Sequence, residues 1–250
     1  MAAKEQRPPA PPISARLGQP VGFRPEHLDF DRGIRVGNLE EHERITRILK
    51  LALESRYGQP FVTERYGRGA YWQWIGFLPR ANRSAKPLSS SVSFGCAKFF
   101  LMVDTELRQF QCGLQVERGY ATRMRGREAW RLAADWDWHR LVRSLGARGP
   151  MRGELERLLA DGFRIFGGTW SGAATPFSRD NFPGVTRLRE LLRRAEPREW
   201  AGFKLYYPMS EKEVRGSTGV DLVEAMLAVF AEVTPAMNHC MQIRLEEVQR

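Results

Sequence analysis

The stretch from Ser91 to Trp130 places the tightest constraint on what this chain can fold into. In the run FQCGLQVE, residues 110–117, the apolar residues fall on every second position. A strand sends successive side chains to opposite faces, so Phe110, Cys112, Leu114 and Val116 share a buried face. Gln111, Gln115 and Glu117 then face water or a ligand. The preceding run, Phe99 to Val103, is apolar without alternation, the pattern of a strand covered on both faces in the middle of a sheet. Asp104, Thr105 and Glu106 supply turn residues between the two. The reading is a β-hairpin leading into an arginine-loaded turn and a helix.

The arginines follow directly. Arg118, Arg123, Arg125, Arg127 and Arg131 lie within fourteen residues, with Tyr120 and Trp130 among them. From Glu64 to Arg131 there are twelve Lys or Arg and five Asp or Glu, which is +7 of the chain's net +10 in about a quarter of its length. Arginine forks fit phosphate oxygens bidentately, so a concentration of this kind suits nucleic acid. Two other readings stand beside it. One is another acidic partner. The other is a plain solvated surface in a chain from a GC-rich genome, which the scarcity of lysine favours. A pI near 10 predicts attraction to polyanions in general rather than to one partner.

A chain of 250 residues with 42% hydrophobic and 27% charged residues has the composition of a globular protein with a sizeable core. No apolar run approaches the roughly 18 to 20 residues of a membrane span, so no membrane association is expected. The N-terminus lacks the apolar segment of a secretory signal. Cys96, Cys112 and Cys240 have no metal-like spacing and read as small core residues in a reducing, cytoplasmic setting.

Residues 1–38 carry prolines, Pro8, Pro9, Pro11 and Pro12 among them, without helical or strand period, and read as a Pro-rich disordered arm. Residues 39–250 read as a single α+β domain. Ile45, Ile48, Leu49, Ala52 and Leu53 form one helical stripe, ended by Gly58 and Pro60. Tyr71, Trp72, Trp74, Ile75, Phe77 and Leu78 make an aromatic strand closed by Pro79. Tyr66 to Ala70 is a glycine-rich turn that enters a strand rather than a helix, so it matches no phosphate-loop fingerprint. Residues 80–91 read as a polar basic loop. Helical stripes recur over 123–145, 153–160, 184–195 and 220–233. Asp135 and Asp137 are natural N-caps, and Trp136, Asp137 and His139 also admit an acid–base cluster. Residues 163–166 and 203–207 are further strand candidates, with Gly167 and Gly168 as a turn. Ser210 to Glu213 fits a capping box. Thr234 and Pro235 interrupt the last helix.

The segments ANRSAKP, KFFLMVD, FQCGLQVERGY, LERLLADGFRIFGG, FKLYYPMSEKEV and GVDLVEAMLAVFAEVTP resemble, in order, a family of uncharacterised bacterial and fungal proteins. The family's opening, paired asparagines before a tryptophan motif, is absent here. That resemblance implies an α+β fold and no site. GRGAYWQWIGFLP followed by KFFLMVD and LQVERGY is also similar to the N-terminal module of McrB-type restriction proteins, which implies DNA binding or defence.

No nucleophile elbow, zinc-protease helix or CxxC pair occurs, and no cofactor or metal site is indicated. The expected fold is α+β: a central, mostly antiparallel sheet covered by helices on one face, with the Pro-rich arm. Three functions are open. The first is a non-enzymatic binding protein whose basic face contacts nucleic acid or another polyanion. That face would comprise Arg65, Arg68, Arg80, Arg83, Arg118, Arg123, Arg125, Arg127 and Arg131. The second is a metal-dependent nuclease-like enzyme holding Mg²⁺ between Asp104 and Glu117. The third is a subunit of a larger protein assembly, docking through Trp72, Trp74 and the N-terminal arm.

Overall fold

The computed structural model describes residues 20–86, 95–119, 136–169, 176–196 and 199–248. Its strands are β1 (Leu28–Asp29), β2 (Gly33–Arg35), β3 (Phe61–Arg68), β4 (Tyr71–Pro79), β5 (Lys98–Asp104), β6 (Gln109–Gly119), β7 (Arg164–Thr169) and β8 (Ala201–Ser210). They form one sheet in the order β1-β2-β4-β5-β6-β8-β7, with β3 also paired to β4, and every pairing is antiparallel. The hairpin read from side-chain period is its centre, with register from Lys98↔Gln115 to Asp104↔Gln109.

The described helices are α1 (Ile45–Tyr57), α2 (Arg80–Ser84), α3 (Asp137–Ser144), α4 (Met151–Ala160), α5 (Val185–Arg194), α6 (Glu211–Gly216) and α7 (Gly219–Cys240). The larger ones share one face of the sheet with Ile75, Phe77, Phe99, Leu101, Phe110, Cys112, Leu114, Val116, Phe203 and Leu205, all buried. The Phe230 ring of α7 stacks on Phe99 at 4.7 Å, and Tyr57 of α1 stacks on the same ring at 6.3 Å. An α-helix over a sheet buries one stripe, and the apolar stripes of α1, α5 and α7 are the ones their sequence periods predict. Cys96, Cys112 and Cys240 are free and buried, as expected of core residues.

Several boundaries differ from the sequence reading, each for a physical reason. Residues 20–38 belong to the fold rather than to an arm. Phe23, Leu28, Phe30, Ile34 and Val36 enter the core, and short strands need too few residues to show a period. The prolines at 8–12 lie outside the described residues. β3 was hidden because its outer half is exposed and polar. The basic loop at 80–91 begins with the short helix α2. Of the helix expected over 123–145, residues 137–144 are helical and residues 120–135 lie outside the described set. Asp135 lies there too, and Asp137 is the first helical residue rather than a cap. Gly167 and Gly168 continue β7 rather than turning. A Cβ on Gly167 would lie 2.5 Å from Leu188 of α5, so this glycine marks a close helix–sheet approach. α7 runs through Pro235 to Cys240, where Thr234 donates to the Phe230 carbonyl at 2.7 Å.

A buried polar knot closes one end of the core. Lys86 and Asp137, both inaccessible side chains, pair at 2.8 Å. Asp137 also accepts from the Asn82 amide at 2.6 Å and the Ala97 N–H at 2.7 Å. Removing one partner leaves the other charge buried and unpaired, so Asp137→Ala is expected to lower unfolding free energy by about 3–5 kcal/mol in urea denaturation. The double variant Lys86→Met/Asp137→Leu should recover most of that loss. A double variant as unstable as the single would show that the pair itself, rather than the orphaned charge, carries the stability.

Candidate functional site

The free end of the β3–β4 hairpin gathers cations and rings. Its turn is built by the glycines noted in the sequence. Gly69 takes a left-handed φ of 63°, and a Cβ on Gly67 would lie 2.6 Å from the Trp72 Cα. Tyr66 pairs with Trp74 and Gly67 with Trp72, so Gln73 bulges out of the ladder. The bulge breaks the alternation between the two tryptophans. Trp72 lines a cleft beside α1, whereas Trp74 reaches Gln115 on the opposite face of the sheet. The paired docking surface expected of Trp72 and Trp74 is therefore not formed.

The cleft beside α1, about 470 Å³, is lined by Arg44, Arg47, Lys50 and Arg65 with Trp72, Thr46, Thr63 and Glu41. The Arg65 guanidinium sits 4.0 Å from the Trp72 ring centroid. A second cleft of about 600 Å³ lies toward the β1–β2 turn, lined by Arg32, Arg68, Tyr66, Tyr71, Asp31, Gly67 and Gln73. There Arg32 sits 4.2 Å from the Tyr71 ring centroid. Tyr66, 70% exposed, is the most exposed large apolar side chain among the described residues.

The sequence-derived residues divide. Arg65 and Arg68 meet at the hairpin end, joined by Arg32, Arg44, Arg47 and Lys50, which were not singled out. Their signal was present only as tertiary proximity, since α1 and the β1–β2 turn are distant in sequence. Arg80 and Arg83 lie on α2, at the far end of β4 and about 27 Å away at strand rise. Arg118 donates to the Ala195 and Glu199 carbonyls, each at 2.7 Å, tying β6 to the segment after α5. Its role in the described structure is to hold backbone. Arg123, Arg125, Arg127 and Arg131 lie outside the described residues.

The carboxylate pair is overturned by register. Asp104 sits opposite Gln109, eight residues along β6 from Glu117, a separation of about 27 Å. Asp104 accepts from the Leu107 N–H within its turn at 3.0 Å. Glu117 pairs with Lys98 at 2.6 Å and accepts from Trp200 Nε1 at 3.2 Å. The two carboxylates share no ion. Among the described residues no group of three or more His, Cys, Asp or Glu is placed to hold a metal. No described helix is long and apolar enough to cross a membrane.

No protein-family model matches the chain, and no curated protein shows significant similarity to it. Geometry alone therefore carries the functional reading.

The second polar feature is the sheet face opposite the helices. Gln111, Gln115 and Glu117, expected to face water or a ligand, are buried there with Lys98 and Lys204. Register aligns Lys98, Gln115, Lys204 and Phe166 in one cross-strand row. Trp74 Nε1 donates to Gln115 at 2.8 Å, and the Lys98 amine lies 5.3 Å from the Trp74 ring centroid. The Lys204 amine lies 5.6 Å from the Phe100 ring centroid and 6.0 Å from that of Phe166. Burial lowers the Lys204 amine to about 8, against the upward pull of Glu117 and Asp104.

A lysine depressed in the fold binds fewer protons than in the unfolded chain between its folded and unfolded values. Its charge therefore costs stability below about pH 8, and the cost is relieved as pH rises from there toward the ordinary lysine value. Lys204→Met is expected to raise unfolding free energy by about 1–3 kcal/mol at pH 7, with the gain shrinking toward pH 10. Urea melts at both pH values check this. A loss of stability equal at the two pH values would contradict it.

Proposed function

We propose that the protein is a binding protein that takes single-stranded nucleic acid at the free end of the β3–β4 hairpin. The observation that carries the reading is the pair of arginine-on-ring stacks, Arg65 on Trp72 and Arg32 on Tyr71, in two clefts of one hairpin, with Tyr66 exposed in the second. Single strands are bound by cations that follow the phosphates and by rings on which unpaired bases stack. Arginine planes serve as stacking surfaces as well as charges. Arg123, Arg125, Arg127 and Arg131 are proposed as further phosphate contacts.

Fluorescence anisotropy with a labelled single-stranded oligonucleotide tests the reading. For three or four phosphate contacts, affinity should fall about 20- to 50-fold between 50 and 200 mM salt. Tyr66→Ala should cost about 1–3 kcal/mol of binding through the lost stack. Arg68→Ala should weaken binding and flatten the salt slope, while Arg80→Ala, at the far end of β4, should stay within two-fold of the parent. The Arg123/Arg125/Arg127→Ala triple variant measures the share of the second basic stretch. Undetectable binding at 50 mM salt, or equal losses from Arg68→Ala and Arg80→Ala, would reject the hairpin as the interface.

A further inference from the structure

The cleft beside α1 has a charge pattern that the folded chain alone does not favour. Arg44, the residue before α1, and Arg47 and Lys50 on its first turns follow at three-residue spacing and line one side of the cleft, so like charges are close neighbours. The first turn of that helix holds no acidic residue, and positive side chains there oppose the helix dipole. Arg65 faces them across the cleft from β3, over the Trp72 ring. Glu41 is the one carboxylate in the lining and lies 3.7 Å from Arg47, with its own side chain 73% exposed. Just outside the lining, Glu54 lies 3.8 Å from Lys50, and Arg44 donates to the Leu39 carbonyl at 2.7 Å. The four cations thus meet two carboxylates, which leaves a surplus of two positive charges around about 470 Å³.

A phosphodiester brings a single negative charge, whereas a phosphomonoester brings about −1.5 to −2 at pH 7 with three acceptor oxygens. Volumes of this size hold a small organic ligand rather than a bare ion. We propose that this cleft binds a phosphomonoester attached to a planar base, the chemistry shared by a free nucleoside monophosphate and the phosphorylated end of a single strand. The proposal rests on the hairpin reading above and makes this cleft its end-recognising half, with the Arg32–Tyr71 cleft holding the strand that follows.

The test compares one labelled single-stranded DNA 10-mer carrying a 5′-phosphate with the same 10-mer carrying a 5′-hydroxyl. AMP and inorganic phosphate serve as competitors, and AMP binding is also followed by calorimetry. The phosphorylated strand is expected to bind at least ten-fold more tightly and AMP to compete. Arg47→Ala/Lys50→Ala should abolish the preference, so that the two strands bind the variant with equal affinity. Both substituted side chains are at the surface, and a thermal melt confirms that the variant is folded. AMP binding that the variant loses, with both strands bound equally, also supports the site and assigns it to the free nucleotide. Salt-sensitive binding of both strands with equal affinity, with no AMP binding, overturns this proposal and leaves the hairpin reading standing. AMP binding without any strand binding overturns the hairpin reading and leaves the phosphomonoester site standing.

Discussion

The buried Lys86–Asp137 pair is the constraint on which the closure of this fold depends. Two charges held out of water carry a desolvation cost of several kcal/mol each, offset only where the remaining hydrogen-bonding capacity is also satisfied. Here it is. Burial pushes the Asp137 carboxyl up, and the Lys86 ammonium, the Ala97 N–H and the Asn82 amide pull it back. Asn82 extends the network, since its Oδ1 accepts from Lys86 at 3.2 Å and from the Gln242 and Ile243 N–H groups at 3.1 and 3.0 Å. Four pieces of chain that share no secondary structure are thereby held together: α2, the approach to β5, the start of α3 and the segment after α7. An apolar cluster of equal volume would bury the same area without fixing which segment meets which. The directional bonds to Asp137 and Asn82 set that geometry.

How much of this was legible in the sequence follows from which interactions are local. The β5–β6 hairpin could be read because its alternation is a property of neighbouring residues, and α1, α5 and α7 could be read from their stripes for the same reason. The capping box at Ser210 formed as written, with Ser210 and Glu213 exchanging bonds. β1, β2 and the knot could not be read. Two- and three-residue strands have no period, and nothing adjacent to Asp137 announces a lysine fifty-one positions upstream. The N-cap assigned to Asp137 was a local explanation of a residue whose partners are all distant. Gly167 misled in the same way, because a glycine in a turn and a glycine under a helix look identical until Leu188 is placed above it.

The candidate site was half legible. Arg65 and Arg68 were visible as charge beside a glycine turn, but charge density alone could not say which arginines were available. Tertiary structure sorts them. Arg157 is taken by Glu232 at 2.6 Å, and Arg108 spans Asp31 and Glu211 at 2.8 and 2.7 Å. Arg108 and Arg215 together hold the Glu211 carboxyl down to about 2. Arg118 is taken by backbone carbonyls. Charges of this kind are spent on joining elements, and their number says little about partners. The hairpin end differs in degree: Arg32 pairs with Asp29 at 2.6 Å, Lys50 with Glu54 at 3.8 Å, and Arg44 donates to the Leu39 carbonyl, yet Arg65 lies over a ring beside them and a net positive charge remains where the surface is concave.

Lysine usage sharpens the contrast between the two polar regions. Lysine makes up six of the thirty-nine Lys and Arg residues, yet Lys86, Lys98 and Lys204 are all buried. A guanidinium is broad, presents five donors and does not readily give up its proton, so burying it requires many acceptors in one plane. An ammonium is compact and can be lowered toward neutrality, as burial does to Lys204. Arginine therefore occupies the surface and the clefts of this chain, where a permanent, ring-stacking charge suits an external anion. Three of the six lysines lie in the interior, where Glu117 and Asp137 each meet a single ammonium at close range. The arginine bias of the composition thus conceals a division between charges that hold the fold together and charges left facing outward at the hairpin end.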